Sequence, residues 1–216
     1  MPTLRELLRD QTIKVKRPRD AEHYQRLIAM WGQTRGRWPA DPVQAGDGSL
    51  IHAVFLAILY KGQTDYPDGD NTEKLLDLLT RCSRLDSESD AECEELLEAF
   101  DRVPGMGLAR ASVFFHCLHP DSFPIVDVNA AHALCDWYAR SNEGGKGKWP
   151  AGVRKPSFEA KQMVSLPAAY LDYRKILLAL VDAAKGLSDP SLTLRQIEFA
   201  LYKSRSNRQH ETITGL

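Results

Sequence analysis

"VPGMGLARASVFFHCLHPDSFPIVDVNAAHAL" spans residues 103–134, and its reading decides the rest of the chain. It opens on a Pro-Gly-Met-Gly turn, passes through an apolar run, breaks at Phe123-Pro124, and reaches one carboxylate, Asp127, before a run of small residues. Two glycines separated by one residue permit positive φ and a tight reversal. Helices are therefore predicted on either side of the turn, over about Ala91 to Arg102 and about Leu108 to Leu118. Pro124 cannot lie inside a helix, because it lacks the N–H and clashes with the preceding turn. Asp127 stands directly before Val128-Asn129-Ala130-Ala131-His132-Ala133-Leu134, where it is a natural helix N-cap.

Outward from this stretch the periodicity is helical. Tyr24, Leu27, Ile28 and Trp31 mark one face, and Leu75, Leu76 and Leu79 another. Leu50 to Tyr60 is apolar all round, as a central buried helix would be. Asp90 is placed to cap a helix with Cys93, Leu96, Leu97 and Phe100 on one stripe. Tyr173, Ile176, Leu177, Leu180, Val181 and Ala184 form a longer stripe, with Pro167 suited to its first turn and Gly186 to its stop. Thr193 and Gln196 make a capping box before Leu194, Ile197 and Leu201. No β-branched alternation argues for a sheet, so the predicted class is all-α. Residues 32–48, 63–71 and 141–157 read as loops, the last a flexible basic insertion carrying Lys146, Lys148, Arg154 and Lys155.

The bulk composition agrees with a globular helical protein. The chain has 216 residues, 43% of them hydrophobic and 26% charged. Its longest apolar run falls short of the about 18 residues a membrane span requires. The start, MPTLRELLRD, has no secretory apolar region, so a cytoplasmic location is expected. Cys82, Cys93, Cys117 and Cys135 have no metal-like spacing and read as reduced thiols on helix faces. The net charge of −1 does not announce nucleic-acid binding. Local clusters at Lys14, Lys16, Arg17 and Arg19, and at Lys203, Arg205 and Arg208, read as solvated charge when taken singly.

Each central feature carries two readings. The Pro104-Gly105-Met106-Gly107 turn serves as a plain helix–helix connection, or it presents the N–H groups of the next helix to a phosphate, with Arg110 adding a charged contact. Asp127 serves as an N-cap, or it stands beside a sugar that becomes cationic as a glycosidic bond breaks.

The combination V-P-G-x-G, then F-P-I-V-D with its aspartate 22 residues after the first glycine, resembles the helix-hairpin-helix DNA glycosylase superfamily. That group includes endonuclease III and the adenine- and thymine-mismatch glycosylases. "FPIVDVN" looks most like the adenine-mismatch branch. "AILYKGQTD", residues 57–65, resembles the family segment that ends a buried helix in Gln-Thr, and "LTLRQIEFALYKSRS" resembles its late helix. The resemblance implies a two-lobed helical fold: one lobe over 50–136, the other built from 1–49 and 137–216. It implies that Asp127 is the catalytic aspartate and that Asn129 orients water or sugar. It implies that residues 104–107 grip a phosphate and that Gln63 enters the duplex where a base has left.

Departures from the family pattern shape the expected chemistry. Ala109 stands where bifunctional members carry a Schiff-base lysine, which implies hydrolysis without strand cleavage. Lys61 is expected on phosphate rather than as its substitute. Ile58 stands where adenine-mismatch enzymes carry an acid, which favours a base that leaves readily. No cysteine follows Cys135, so the iron–sulfur cluster of some relatives is not expected. No other tightly bound metal or cofactor is expected beyond a monovalent cation on hairpin carbonyls. The expected activity is monofunctional removal of a damaged, modified or mismatched base, by a monomer acting on duplex DNA with one base flipped out. The rival expectation is a non-catalytic DNA-binding or lesion-sensing module on the same scaffold. Tyr60, His116, His119 and Trp137 are weaker candidates for a base pocket.

Overall fold

The computed structural model describes residues 69–142, 149–185 and 193–202. Among these residues every regular element is helical, as the 3.6-residue periodicity predicts. The chain divides into two compact units at Pro120–Asp121. The expected helices over 24–31 and 50–60, the Gln-Thr segment and the stretch 1–49 lie outside the described residues.

The described part of the first unit is a three-helix layer. Helix α1 (Gly69–Ser83) packs on both α2 (Asp90–Asp101) and α3 (Gly107–Leu118). Helix α2 buries Cys93, Leu96, Leu97 and Phe100, the stripe its sequence shows. Its cap is Ser89 rather than Asp90: Ser89 is extended (φ −85°, ψ 96°) and accepts from the Glu92 amide. Asp90 is already helical and sits in the first turn, where a negative charge suits the helix dipole. Helix α3 is buried almost all round, from Leu108 to Leu118 apart from the half-buried Ala109. Phe100 meets two of its rings, stacked on Phe114 and edge-on to Phe115, each at 5.9 Å between centroids. Burying each such ring stabilises the fold by about 1.5–3 kcal/mol.

The second unit contains α4 (Val128–Asn142), a 3-10 turn (Gln162–Val164), α5 (Pro167–Lys185) and helical residues 194–202, here α6. Pro167 opens α5, as its missing N–H allows. The capping box ahead of α6 is formed reciprocally: the Thr193 amide donates to Gln196 Oε1 at 2.8 Å, and the Gln196 amide to Thr193 Oγ1 at 3.3 Å. The described end of the basic insertion departs from the flexible loop expected of 141–157. Trp149 packs against Trp137 and Tyr138 at 5.0 and 5.1 Å, and its indole N–H donates to the Val153 carbonyl. Arg154 pairs with the buried Asp172 at 2.8 Å, and the Ser157 hydroxyl donates to the same carboxylate at 2.6 Å. One buried acid and one indole thus hold residues 149–157 against α4 and α5, which composition alone conceals.

All four cysteines lie on helices as free thiols, three of them buried. Burial pushes the Cys82 and Cys117 thiols well above their ordinary range. Cys135 is half-buried and raised by the same cause, with Asp136 adding to it. Iodoacetamide on the native protein should therefore modify Cys135 first and slowly. Cys82, Cys93 and Cys117 should react only after denaturation, as peptide mass mapping would reveal.

Candidate functional site

The hairpin belongs to the first unit. Gly105 and Gly107 both have positive φ, +77° and +29°, the left-handed region glycine tolerates best. The Met106 amide donates to the Val103 carbonyl at 2.9 Å and closes the turn. Met106 itself is fully buried, whereas Pro104, Gly105 and Gly107 are exposed. The buried methionine plugs the turn into the core while the glycine backbone faces outward. Helix α3 then starts at Gly107 with no side-chain cap. The first N–H groups of a helix have no partner within it, so this end presents donors and a positive dipole to an anion.

Arg110 is placed differently from a surface phosphate ligand. It is 3% exposed, and its Nη1 donates back to the Gly105 carbonyl. The guanidinium braces the turn from inside through the Gly105 carbonyl. A positive charge at that carbonyl also makes it a poor ligand for the expected monovalent cation. Ala109 is half-buried in the first turn of α3, and its carbonyl accepts from the Ser112 hydroxyl at 2.9 Å.

Asp127 belongs to the second unit. It is half-buried, and its Oδ1 accepts from the Asn129 amide at 2.8 Å and the Ala130 amide at 3.4 Å. The predicted N-cap of α4 is therefore formed. Asn129 is half-buried in the first turn of the same helix. The four residues before Asp127 are buried and non-helical. Side chains from α5 and α6 hold their backbone. The Tyr170 hydroxyl donates to the Pro124 carbonyl at 2.7 Å, and Arg174 Nε donates to the Ser122 carbonyl at 2.7 Å. Arg174 also lies 4.5 Å from the centre of the Phe123 ring. The Ile125 amide donates to Glu198 Oε2 at 3.3 Å, and Arg195 Nη1 to the same oxygen at 2.7 Å.

These anchors were not singled out in the sequence. Glu198 looks like a surface acid on an amphipathic helix, and its partner is 73 residues away. The one available signal was an ionisable residue next to Ile197 on the face that carries Leu194 and Leu201. Of the weaker pocket candidates, His116 is fully buried, His119 Nε2 lies 2.8 Å from the Cys82 carbonyl, and Trp137 packs at a tilt against Trp149. Trp137 also lines an open apolar groove with Ala133, Ile197 and Leu201. Tyr60, Lys61 and Gln63 lie outside the described residues. Among the described residues no group of three His, Cys, Asp or Glu side chains is placed to hold a metal ion, and no helix is long and apolar enough to cross a membrane.

Comparison with protein-family models, curated proteins and solved structures finds no match.

The turn geometry makes a direct demand on Gly105. A Cβ there would lie 3.5 Å from Arg110 Nη1, an ordinary contact, so the cost of a side chain is that of the left-handed backbone. Gly105→Ala should lower stability by about 1–2 kcal/mol in urea unfolding.

Proposed function

We propose that this protein is a monofunctional DNA glycosylase, which hydrolyses the N-glycosidic bond of a damaged, modified or mismatched base in duplex DNA and leaves an abasic site. The observation that carries the reading is the Pro104–Gly107 turn, with Gly105 and Gly107 at positive φ, opening a helix that has no side-chain cap. A phosphate on those N–H groups needs no large net charge on the protein, in keeping with a total of −1. Backbone contacts of this kind position the duplex without reading its sequence. Lys61 adds a phosphate contact, and Gln63 fills the space left by the flipped nucleotide.

Asp127 carries the chemistry. As the base leaves with the electrons of the glycosidic bond, positive charge develops on the sugar, and a fixed carboxylate stabilises it. Asp127 then accepts a proton from the water that adds to the sugar carbon. Asn129, one turn edge away on the same helix, orients that water or the sugar. The methyl of Ala109 forms no Schiff base, so the sugar–phosphate strand stays intact. Ile58 offers no proton to the departing base, so the substrate is one that leaves without strong acid assistance. The protein acts as a monomer on DNA in the cytoplasm.

Mass spectrometry of bases released from genomic DNA and modified phage DNA should show a released base with the wild-type chain. Asp127→Asn should slow release by about 100-fold or more, the scale of losing a transition-state charge partner. Asparagine caps a helix as well as aspartate does, so this variant should keep the wild-type Tm, whereas Asp127→Ala should lose about 1 kcal/mol. Borohydride should trap no protein–DNA adduct on any substrate that the enzyme processes, and a trapped adduct would refute the monofunctional assignment.

One observation favours a second reading. Capping α4 is a sufficient structural use for Asp127 Oδ1. A non-catalytic DNA-binding or lesion-sensing module would bind duplexes, release no base, and tolerate Asp127→Asn in every assay.

A further inference from the structure

We propose that Glu198, on α6, is a positioning residue for Asp127, acting as a hydrogen-bond acceptor that fixes the Phe123–Val126 backbone leading into the N-cap of α4. The inference rests on the glycosylase reading for its effect on rate, but its structural core does not.

The residues Phe123, Ile125 and Val126 are at most 1% exposed, so their backbone groups are out of reach of bulk water. Pro124 keeps the segment out of a helix, and no strand lies beside it among the described residues. Side chains satisfy part of its hydrogen-bonding demand. Tyr170 and Arg174 serve carbonyls, at Pro124 and Ser122. Glu198 accepts from an amide, that of Ile125, two residues before Asp127. Its carboxylate is itself buried, with 1% side-chain exposure, and Arg195 balances the charge at 2.7 Å. A buried, charge-balanced acceptor is a rigid anchor: turning to solvent would break its bonds to both Arg195 and the Ile125 amide.

The Tyr173 hydroxyl adds an independent sign that Glu198 and Asp127 share one neighbourhood. It is fully buried and has no hydrogen-bond partner among the described residues. Burial raises its pKa well above the ordinary tyrosine range, and the charges of Glu198 and Asp127 raise it further. The phenol stays neutral there, so it adds no competing charge beside the two carboxylates.

Three substitutions separate the possibilities in the full-length chain. Glu198→Gln keeps a carbonyl oxygen that can accept from both Ile125 and Arg195. Glu198→Asp keeps the charge beside Arg195 but is one methylene short. Glu198→Ala removes both. Hydrogen–deuterium exchange of peptides covering 122–130 should speed up by about 10-fold or more in the Ala and Asp variants and stay near wild type in the Gln variant, about 10-fold in exchange being about 1.4 kcal/mol of local opening. Single-turnover base release should fall by about 10-fold or more in the same two variants and recover in Glu198→Gln. Affinity for a duplex containing a tetrahydrofuran abasic analogue should stay within about twofold in all three. Unchanged exchange in Glu198→Asp, or a Gln variant as loose as the Ala variant, would overturn the anchoring role; the Asp variant decides the matter if Glu198→Ala does not fold. Normal exchange effects combined with no base release by the wild-type protein would instead reject the glycosylase reading and leave the anchor standing.

Discussion

The backbone just before Asp127 is buried outside any helix, and side chains from two helices of the second unit bond to it. Pro124 excludes a helix, yet Phe123 to Val126 are buried. Buried amides and carbonyls cost about 1–3 kcal/mol each when unsatisfied. Tyr170, Arg174 and Glu198 meet this demand from two helices. Each is large, polar and nearly or wholly buried, and each has its polar tip on main chain. The same contacts determine where α4 begins, because the cap residue is the first one beyond the anchored segment.

The hairpin solves a different problem with the same economy. A reversal between two buried helices must be tight, and a Cβ at Gly105 would need a left-handed backbone that only glycine adopts without strain. Met106 fills the core between the two glycines, so the turn is held by a side chain while its backbone remains at the surface. Arg110 extends this from below through the Gly105 carbonyl. The Gly105 and Gly107 backbone thus stays exposed while the side chains of Met106 and Arg110 are buried beneath it.

The helices were legible because amphipathic periodicity is a local signal. Cys93, Leu96, Leu97 and Phe100 are buried together as their spacing indicates, and the Thr193–Gln196 box forms from residues three apart. Asp127 as a cap was legible for the same reason: proline before and small residues after bracket a helix start. Ser89 displaced Asp90 because both are good caps and only backbone dihedrals choose between neighbours. What local reading missed was long-range. Glu198 meets Ile125, Arg174 meets Ser122, and Asp172 gathers Ser157 and Arg154. A buried charge and a solvated one look alike in sequence until the fold supplies the partner. Arg110 illustrates the converse, since a basic residue beside a phosphate-type turn suggests direct contact, and the helix turns it inward instead.

Under the proposed function, capping and charge stabilisation at Asp127 would be one requirement. A carboxylate that stabilises a transient cation must not relax toward the charge as it forms, because that motion would absorb the stabilisation it offers. Two amide donors on Oδ1 fix the side-chain torsions, and the anchored segment before it fixes the main chain. An uncapped aspartate on a loose loop would present the same charge with less effect. The N-cap therefore does not argue against a chemical role. It supplies the rigidity such a role needs, and the charge of the carboxylate, rather than its hydrogen bonds, is the property that distinguishes the two uses.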